Sequence, residues 1–343
     1  MKNLAETARL MLADHKGLLA MDESTGTCDK RFAKAGIPQT EEARRRYREL
    51  ILTTPGLAEC ISGVILYDET IRQAQADGTP FLKIIGAAGI TPGIKVDTGA
   101  KDLAGCPGEK ITEGLDGLRE RLDDYFAMGA RFAKWRAVIG LGEGLPTHAC
   151  IDANAHALAR YAALCQEAGL VPVVEPEVLM AGDHSLARCQ QATERALRAV
   201  FEQLSVQNVA LDGMILKANM VLPGLNCPVQ PTAEEVADAT VETLRRAVPV
   251  ATAGIAFLSG GQSGELASAR LNAMNAKFKA PSAAAPWPLG FSFARAIQQP
   301  ALEIWAGKDA NREAAQRALL QRAQCNSAAR RGRYSPAMEV SGS

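Results

Sequence analysis

Eight short apolar segments, each carrying polar or charged residues toward its C-terminal end, recur along the chain and constrain its fold more than any other feature. They occupy 18–22, 63–68, 93–97, 132–136, 171–177, 214–217, 255–259 and 290–295. Measured between Asp22, Asp68, Lys95, Lys134, Glu175, Lys217, Ser259 and Arg295, the intervals are 46, 27, 39, 41, 42, 42 and 36 residues. Each interval has room for one strand, one helix and two loops, which is what a parallel crossover needs. Alternating strands and helices build a parallel sheet whose polar strand ends gather at one edge. Eight such units predict an α/β protein, a single (β/α)8 TIM barrel with extra N- and C-terminal helices, its active site at the mouth where the strands end. An open doubly wound sheet is the competing architecture, but no Gly-x-Gly-x-x-Gly follows the first strand to support it.

Helical periodicity fills the gaps. Ile151, Ala155, Leu158, Ala162 and Cys165 follow a 0, 4, 7, 11, 14 spacing, with Gly169 placed as a C-terminal cap. Thr232 and Glu235 form a capping-box pattern that opens another helix, ending before Pro249. No Pro/Gly/Ser-rich linker divides the chain, so 1–333 is expected to be one catalytic barrel domain and 334–343 a short disordered tail. At 343 residues and 47% hydrophobic, the chain has enough material for such a core.

The same composition excludes several function classes. Its 38 basic and 38 acidic residues cancel, which argues against a nucleic-acid partner. In the one dense basic run, Arg44-Arg45-Arg46 with Arg48, Arg45 and Arg46 follow Glu41 and Glu42 by four residues, the spacing of intrahelical ion pairs on a solvated face. No stretch approaches the roughly 20 apolar residues of a spanning helix, so no membrane partner is expected. Glu6 and Asp14 interrupt any secretory signal. Eight cysteines without a Cys-x-x-Cys pair read as free thiols in a reducing cytoplasm. The histidines at 15, 148, 156 and 184 make no His-x-x-x-His or His-Glu-x-x-His arrangement, so no metal is expected, and His156 is expected on a solvated helix face.

Lys217 ends the otherwise apolar strand Met214-Ile215-Leu216, where an unpaired ammonium is costly to bury. Desolvation disfavours its charged form, so the expected consequence is a nucleophilic free amine near neutral pH, as a Schiff-base enzyme requires. Residues two apart on a strand share a face, so Lys134 points with Arg136 and Glu175 with Glu177. Together with Lys95 and Asp22, these charges suit a solvated mouth where each carboxylate finds a cation. A carboxyl group there can shuttle the protons that imine formation demands. The 258–263 segment offers small residues and backbone amides that can approach an anion, and with Arg295 and Lys95 it points to a phosphorylated substrate.

At these residues the chain resembles one family, the class I (Schiff-base) fructose-bisphosphate aldolases. The resemblance runs through Met21-Asp22-Glu23-Ser24-Thr25-Gly26, Gly93-Ile94-Lys95-Val96-Asp97, Phe132-Ala133-Lys134-Trp135-Arg136, Val174-Glu175-Pro176-Glu177, Leu216-Lys217-Ala218-Asn219-Met220, Leu258-Ser259-Gly260-Gly261-Gln262-Ser263 and Phe291-Ser292-Phe293-Ala294-Arg295. It implies reversible cleavage of fructose bisphosphate to dihydroxyacetone phosphate and glyceraldehyde 3-phosphate, in glycolysis and gluconeogenesis. By resemblance Lys217 attacks the ketose carbonyl, Glu175 is the general acid and base, Lys134 tunes the amine, and Asp22 orients or deprotonates the hydroxyl at the breaking bond. Glu177 joins this catalytic group. Ser259, Gly260, Gly261, Ser292 and Arg295 correspond to one phosphate, with Ser24, Thr27, Arg31, Lys95 and Arg136 completing the substrate contacts. No cofactor or metal is implied, and the usual assembly is a homotetramer in the cytoplasm.

Two departures carry expectations of their own. Familiar members have a tail ending in tyrosine that assists proton transfer at the enamine, whereas the last tyrosine here is Tyr334, so that step is expected to be slow or differently served. Ala218 stands where proline is common, and Ala294 stands where glycine is common, which is expected to strain any glycine-only dihedral. From the residues alone, a Schiff-base aldolase or transaldolase for another phosphorylated sugar, or a non-catalytic scaffold barrel, fits the same strand ends.

Overall fold

Strand–helix alternation closes the sheet on itself. In the computed structural model, which describes residues 4–278 and 284–340, the strands are β1 (Gly17–Ala20), β2 (Ile61–Leu66), β3 (Thr91–Lys95), β4 (Gly99–Asp102), β5 (Lys110–Glu113), β6 (Phe132–Ile139), β7 (Val171–Val178), β8 (Ile215–Ala218), β9 (Gly254–Phe257) and β10 (Leu289–Phe293). Eight of them form a closed parallel barrel in the order β1-β10-β9-β8-β7-β6-β3-β2, with β2 returning to β1. Strands β4 and β5 make a separate antiparallel hairpin in the crossover after β3. Each of the eight apolar segments carries a barrel strand. Helices cover the outside, so β2, β7, β8, β9 and β10 are buried along their whole length, which is why they read as continuous apolar runs.

The barrel interior is packed rather than hollow. Leu18, Ala20, Ile65, Phe132, Val171, Val173, Ile215 and Ala256 form one cluster with Ala8, Met11 and Leu12. Ala8 and Met11 belong to the helix Leu4–Met11, which therefore plugs the N-terminal end and leaves the opposite mouth open. Phe132 lies over Gly93 so closely that a Cβ there would sit 2.2 Å from the ring. On β6, Trp135 points outward between Lys134 and Arg136 and packs on Tyr161, ring centroids 5.5 Å apart. Tyr161 in turn donates a 2.7 Å hydrogen bond to Ala133 O. An aromatic anchored outside fixes the two cations inside, because a one-residue slip would exchange the faces.

Local signals hold where the helices begin. Thr147 caps His148–Glu167, Gly169 takes φ +79°, and Thr232 and Glu235 form both halves of the capping box on Ala233–Ala247. Two expectations need correction. The basic run does not lie on one solvated face: Arg44 bridges Asp29 and Glu69, Arg48 is buried against Glu23, and Arg45 pairs with Glu42 and Glu49. Periodicity showed the helix, but tertiary carboxylates from other segments decided which arginines were buried.

The second correction concerns the tail expected to be disordered from 334. Over 334–339 it is anchored: Tyr334 N–H donates to Asn272 Oδ1, its hydroxyl donates 2.8 Å to Glu339, and Glu339 pairs with buried Arg322. A buried guanidinium on the preceding helix Arg312–Arg330 supplies the anchor that composition did not reveal. Residues 341–343 lie outside the described residues.

Candidate active site

Strand register brings the charges to one mouth. Arg136 on β6 pairs with Glu175 on β7, Lys95 on β3 with Lys134 on β6, and Lys217 on β8 with Ala256 on β9. Asp22 lies just past β1, Ser259 just past β9, and Arg295 opens the helix Arg295–Trp305 after β10. Most of these positions belong to the C-terminal half or end of their strands, where the packed interior stops, and Lys134, third in the long strand β6, lies level with the last residue of β3.

At the centre is an alternating chain of amines and carboxylates. Lys217 Nζ lies 3.1 Å from Glu175 Oε1, Lys134 Nζ lies 3.0 Å from Glu175 Oε2, and Lys134 donates a 3.0 Å hydrogen bond to Asp22 Oδ2. Lys217 and Lys134 are each only 4% exposed and Glu175 2%. Buried charges are tolerated here because each cation lies within 3.1 Å of a carboxylate oxygen. Burial works to raise the Asp22 carboxyl, but Lys134 and Lys217 outweigh it and hold it down at about 2. Burial likewise opposes ionisation of Glu175, and Lys134, Lys217 and Arg136 together keep it below the usual carboxylate range. Burial would lower Lys134, yet Asp22 and Glu175 hold it well above the ordinary lysine value. Lys134 is thus held as a cation between two carboxylates whose ionised forms it favours.

A cavity of about 430 Å³ opens above this chain. Its wall includes Lys217, Glu175, Lys134, Asp22, Glu177, Thr27, Arg31, Arg136, Ser259, Gly260, Gly261, Ser292 and Arg295. Arg136 pairs with Glu177 and sees its charge reinforced despite burial. Arg31 is held by Glu23, which Arg48 contacts from behind at 3.0 Å, and by a 3.1 Å hydrogen bond to Gln299. Ser292 Oγ is buried at the wall with no hydrogen-bond partner, a polar group left for a ligand to satisfy. Gly260 and Gly261 take φ of +59° and +91°, conformations that leave the turn free of Cβ atoms.

Ser24 and Lys95 are not brought to the cavity wall. Ser24 Oγ lies 3.1 Å from Thr27 Oγ1, and Lys95 pairs with Asp97 at 2.7 Å while its charge still helps hold Asp22 down. The reading from sequence missed Glu23, Lys30 and Lys34, which do line the cavity. A signal was present, because 27, 30, 31 and 34 are spaced 0, 3, 4 and 7 on the helix Thr25–Lys34. Lys30, Lys34 and Arg295 form no ion pair among the described residues, so the wall carries an excess of positive charge suited to a polyanionic ligand. Ala294 has φ −106°, so no left-handed backbone is required there and the expected strain does not arise. Tyr334 is not part of this wall.

Among the described residues no group of three or more His, Cys, Asp or Glu side chains is placed to hold a metal ion. All eight cysteines are free, and His156 is exposed. Among the described residues no helix is long and apolar enough to cross a membrane.

Fold and site together define a TIM-barrel enzyme with its charged groups at the C-terminal mouth. Comparison with known proteins narrows this. The family described as fructose-bisphosphate aldolase class-I matches residues 3–343. A probable fructose-bisphosphate aldolase class 1 of Xanthomonas campestris is 56% identical over 97% of this chain and 98% of its own length. A cytosolic fructose-bisphosphate aldolase of Arabidopsis thaliana is 51% identical over 93% of this chain and 88% of its own. The solved fructose-bisphosphate aldolase of Plasmodium falciparum superposes with a TM-score of 0.94 at 46% identity, covering 97% of this chain and 95% of that one. The chain belongs to the class I fructose-bisphosphate aldolase family, and its reaction is the reversible aldol cleavage of fructose bisphosphate, that of a lyase.

Proposed function

We propose that Lys217 is the amine that carries this cleavage, and the observation behind the reading is its buried contact with Glu175, a carboxylate shared with Lys134. Lys217 passes a proton to Glu175 and attacks the C2 carbonyl carbon of the ketose. Glu175 returns the proton to the carbinolamine hydroxyl, which leaves as water and gives a protonated imine. The imine carries the positive charge formerly on the ammonium, so the balance with Asp22, Glu175 and Lys134 is preserved. Asp22, held ionised at about 2, is a weak base and orients the C4 hydroxyl through a hydrogen bond. Glu175 takes that hydroxyl's proton as the C3–C4 bond breaks and its electrons move to the imine nitrogen. The aldehyde departs, Glu175 protonates the remaining enamine at C3, and water releases dihydroxyacetone phosphate from Lys217.

Ser259, Gly260, Gly261, Ser292 and Arg295 hold the phosphate nearest the imine. Thr27, Arg31 and Arg136, joined by Lys30 and Lys34, face the other end of the substrate. Ser24 acts through Thr27, Lys95 through its charge on Asp22, and Glu177 by setting Arg136. The whole of 1–333 works as one catalytic domain, supported by closure of the barrel between β1 and β10. A homotetramer follows from the resemblance and is read by sedimentation velocity, and a cytoplasmic location is supported by the cytosolic names of the Arabidopsis relatives.

Lys217→Met is expected to remove cleavage of fructose bisphosphate while leaving the circular dichroism spectrum intact. Detectable cleavage by that variant would overturn the assignment. Turnover of fructose bisphosphate against fructose monophosphate and sedoheptulose bisphosphate then reads the preference among ketoses.

A further inference from the structure

Arg270 is a buried cation that the mechanism above does not use. It lies on the helix Gly264–Lys277 after β9, is only 3% exposed, and pairs with no carboxylate among the described residues. Its Nη1 donates a 2.8 Å hydrogen bond to Gln262 Oε1, and its Nε has no partner. Burial is the one influence on its ionisation, pulling it down to about 10. Isolated buried charge is costly, and a neutral side chain of similar reach would fill the place without that cost.

Where the charge sits supplies a reason for keeping it. Gln262 carries the contact forward: its Nε2 donates 2.9 Å to Ser259 O, and its backbone N–H donates 3.0 Å to the same oxygen. These bonds close the 259–262 turn, whose front faces the cavity beside Lys217 and Arg295. Between a guanidinium behind the turn and a phosphate dianion in front of it lie the buried side chain of Gln262 and the turn itself rather than water, so their attraction is screened less than in solution. We propose that Arg270 is a positioning residue for the phosphate nearest the imine, holding the 259–262 turn through Gln262 and leaving its own positive charge unanswered until that phosphate binds. This inference rests on the reading of 259–261 as phosphate-binding.

Titration calorimetry with inorganic phosphate on the full chain tests it, with Arg270→Met, Arg270→Lys and Arg295→Met measured beside the unmodified protein. Arg270→Met is expected to weaken phosphate about tenfold, and Arg270→Lys to recover part of that loss. Without phosphate, Arg270→Met is expected to stay folded, because the hydrogen bond to Gln262 is lost but no ion pair is. If phosphate affinity stays within about twofold in Arg270→Met while Arg295→Met loses it, Arg270 is structural and the proposal fails. If Arg295→Met also leaves affinity unchanged, the phosphate reading itself fails, and this inference falls with it. Should Arg270→Met not fold, Arg270→Gln, which keeps a donor toward Gln262, carries the same comparison.

Discussion

Asp22 shows how a single side chain reports on the whole site. Its carboxyl is held at about 2 against an ordinary 3.8, because Lys134 and Lys217 outweigh the opposing effect of burial. A depressed carboxyl contributes stability that is complete above its unfolded value and disappears as pH falls through its folded value. Urea unfolding of the unmodified protein against Asp22→Asn should therefore differ by on the order of 2 kcal/mol near pH 6. The gap should shrink between pH 3.8 and about 2. An undiminished gap down to pH 2 would mean that the difference does not come from the ionisation of Asp22 at about 2. Lys134 itself, locked between Asp22 and Glu175, is expected to matter for rate beyond stability. Lys134→Met should lower kcat at least about 100-fold while the protein stays folded, checked by steady-state kinetics beside circular dichroism. These residues were legible in the sequence because ionisable groups at the ends of apolar strands demand partners. Their pairing was not legible, since distances between Lys217, Glu175, Lys134 and Asp22 depend on barrel closure.

At the scale of elements, strand ends were easier to read than helix faces. A charged residue after four apolar ones is conspicuous, whereas Thr27, Lys30, Arg31 and Lys34 on one face of a helix look like any solvated stripe. Lys30 and Lys34 were missed for that reason, and the buried roles of Arg44 and Arg48 were misread for the same one. The unpaired lysines on this helix should act mainly on substrate capture. Lys30→Ala combined with Lys34→Ala is expected to raise the KM for fructose bisphosphate about tenfold, with a weaker dependence of kcat/KM on ionic strength. Unchanged KM and salt dependence would place the second phosphate elsewhere. Caps act differently. Thr232→Ala, which breaks the capping box far from the cavity, should cost about 1 kcal/mol in urea unfolding and leave kcat unaltered.

For the whole molecule, closure is what turns separate strand ends into a site. Spacing between the strand ends limited the topology to a few choices, and eight units favoured the barrel. What spacing could not convey was the plug at the N-terminal end or the anchoring of 334–339, both of which depend on contacts between distant parts of the chain. With Ala8 and Met11 sealing one end, the charged mouth is the open end, and Lys217 is buried there beside Glu175. The central claim is that this lysine becomes covalently joined to substrate. Borohydride reduction in the presence of dihydroxyacetone phosphate, followed by intact-mass measurement and peptide mapping, reads it directly. The expected result is one adduct, located on Lys217 and absent from Lys217→Arg, whose guanidinium stays protonated and cannot attack a carbonyl. An adduct on another lysine, or none at all with active protein, would contradict it.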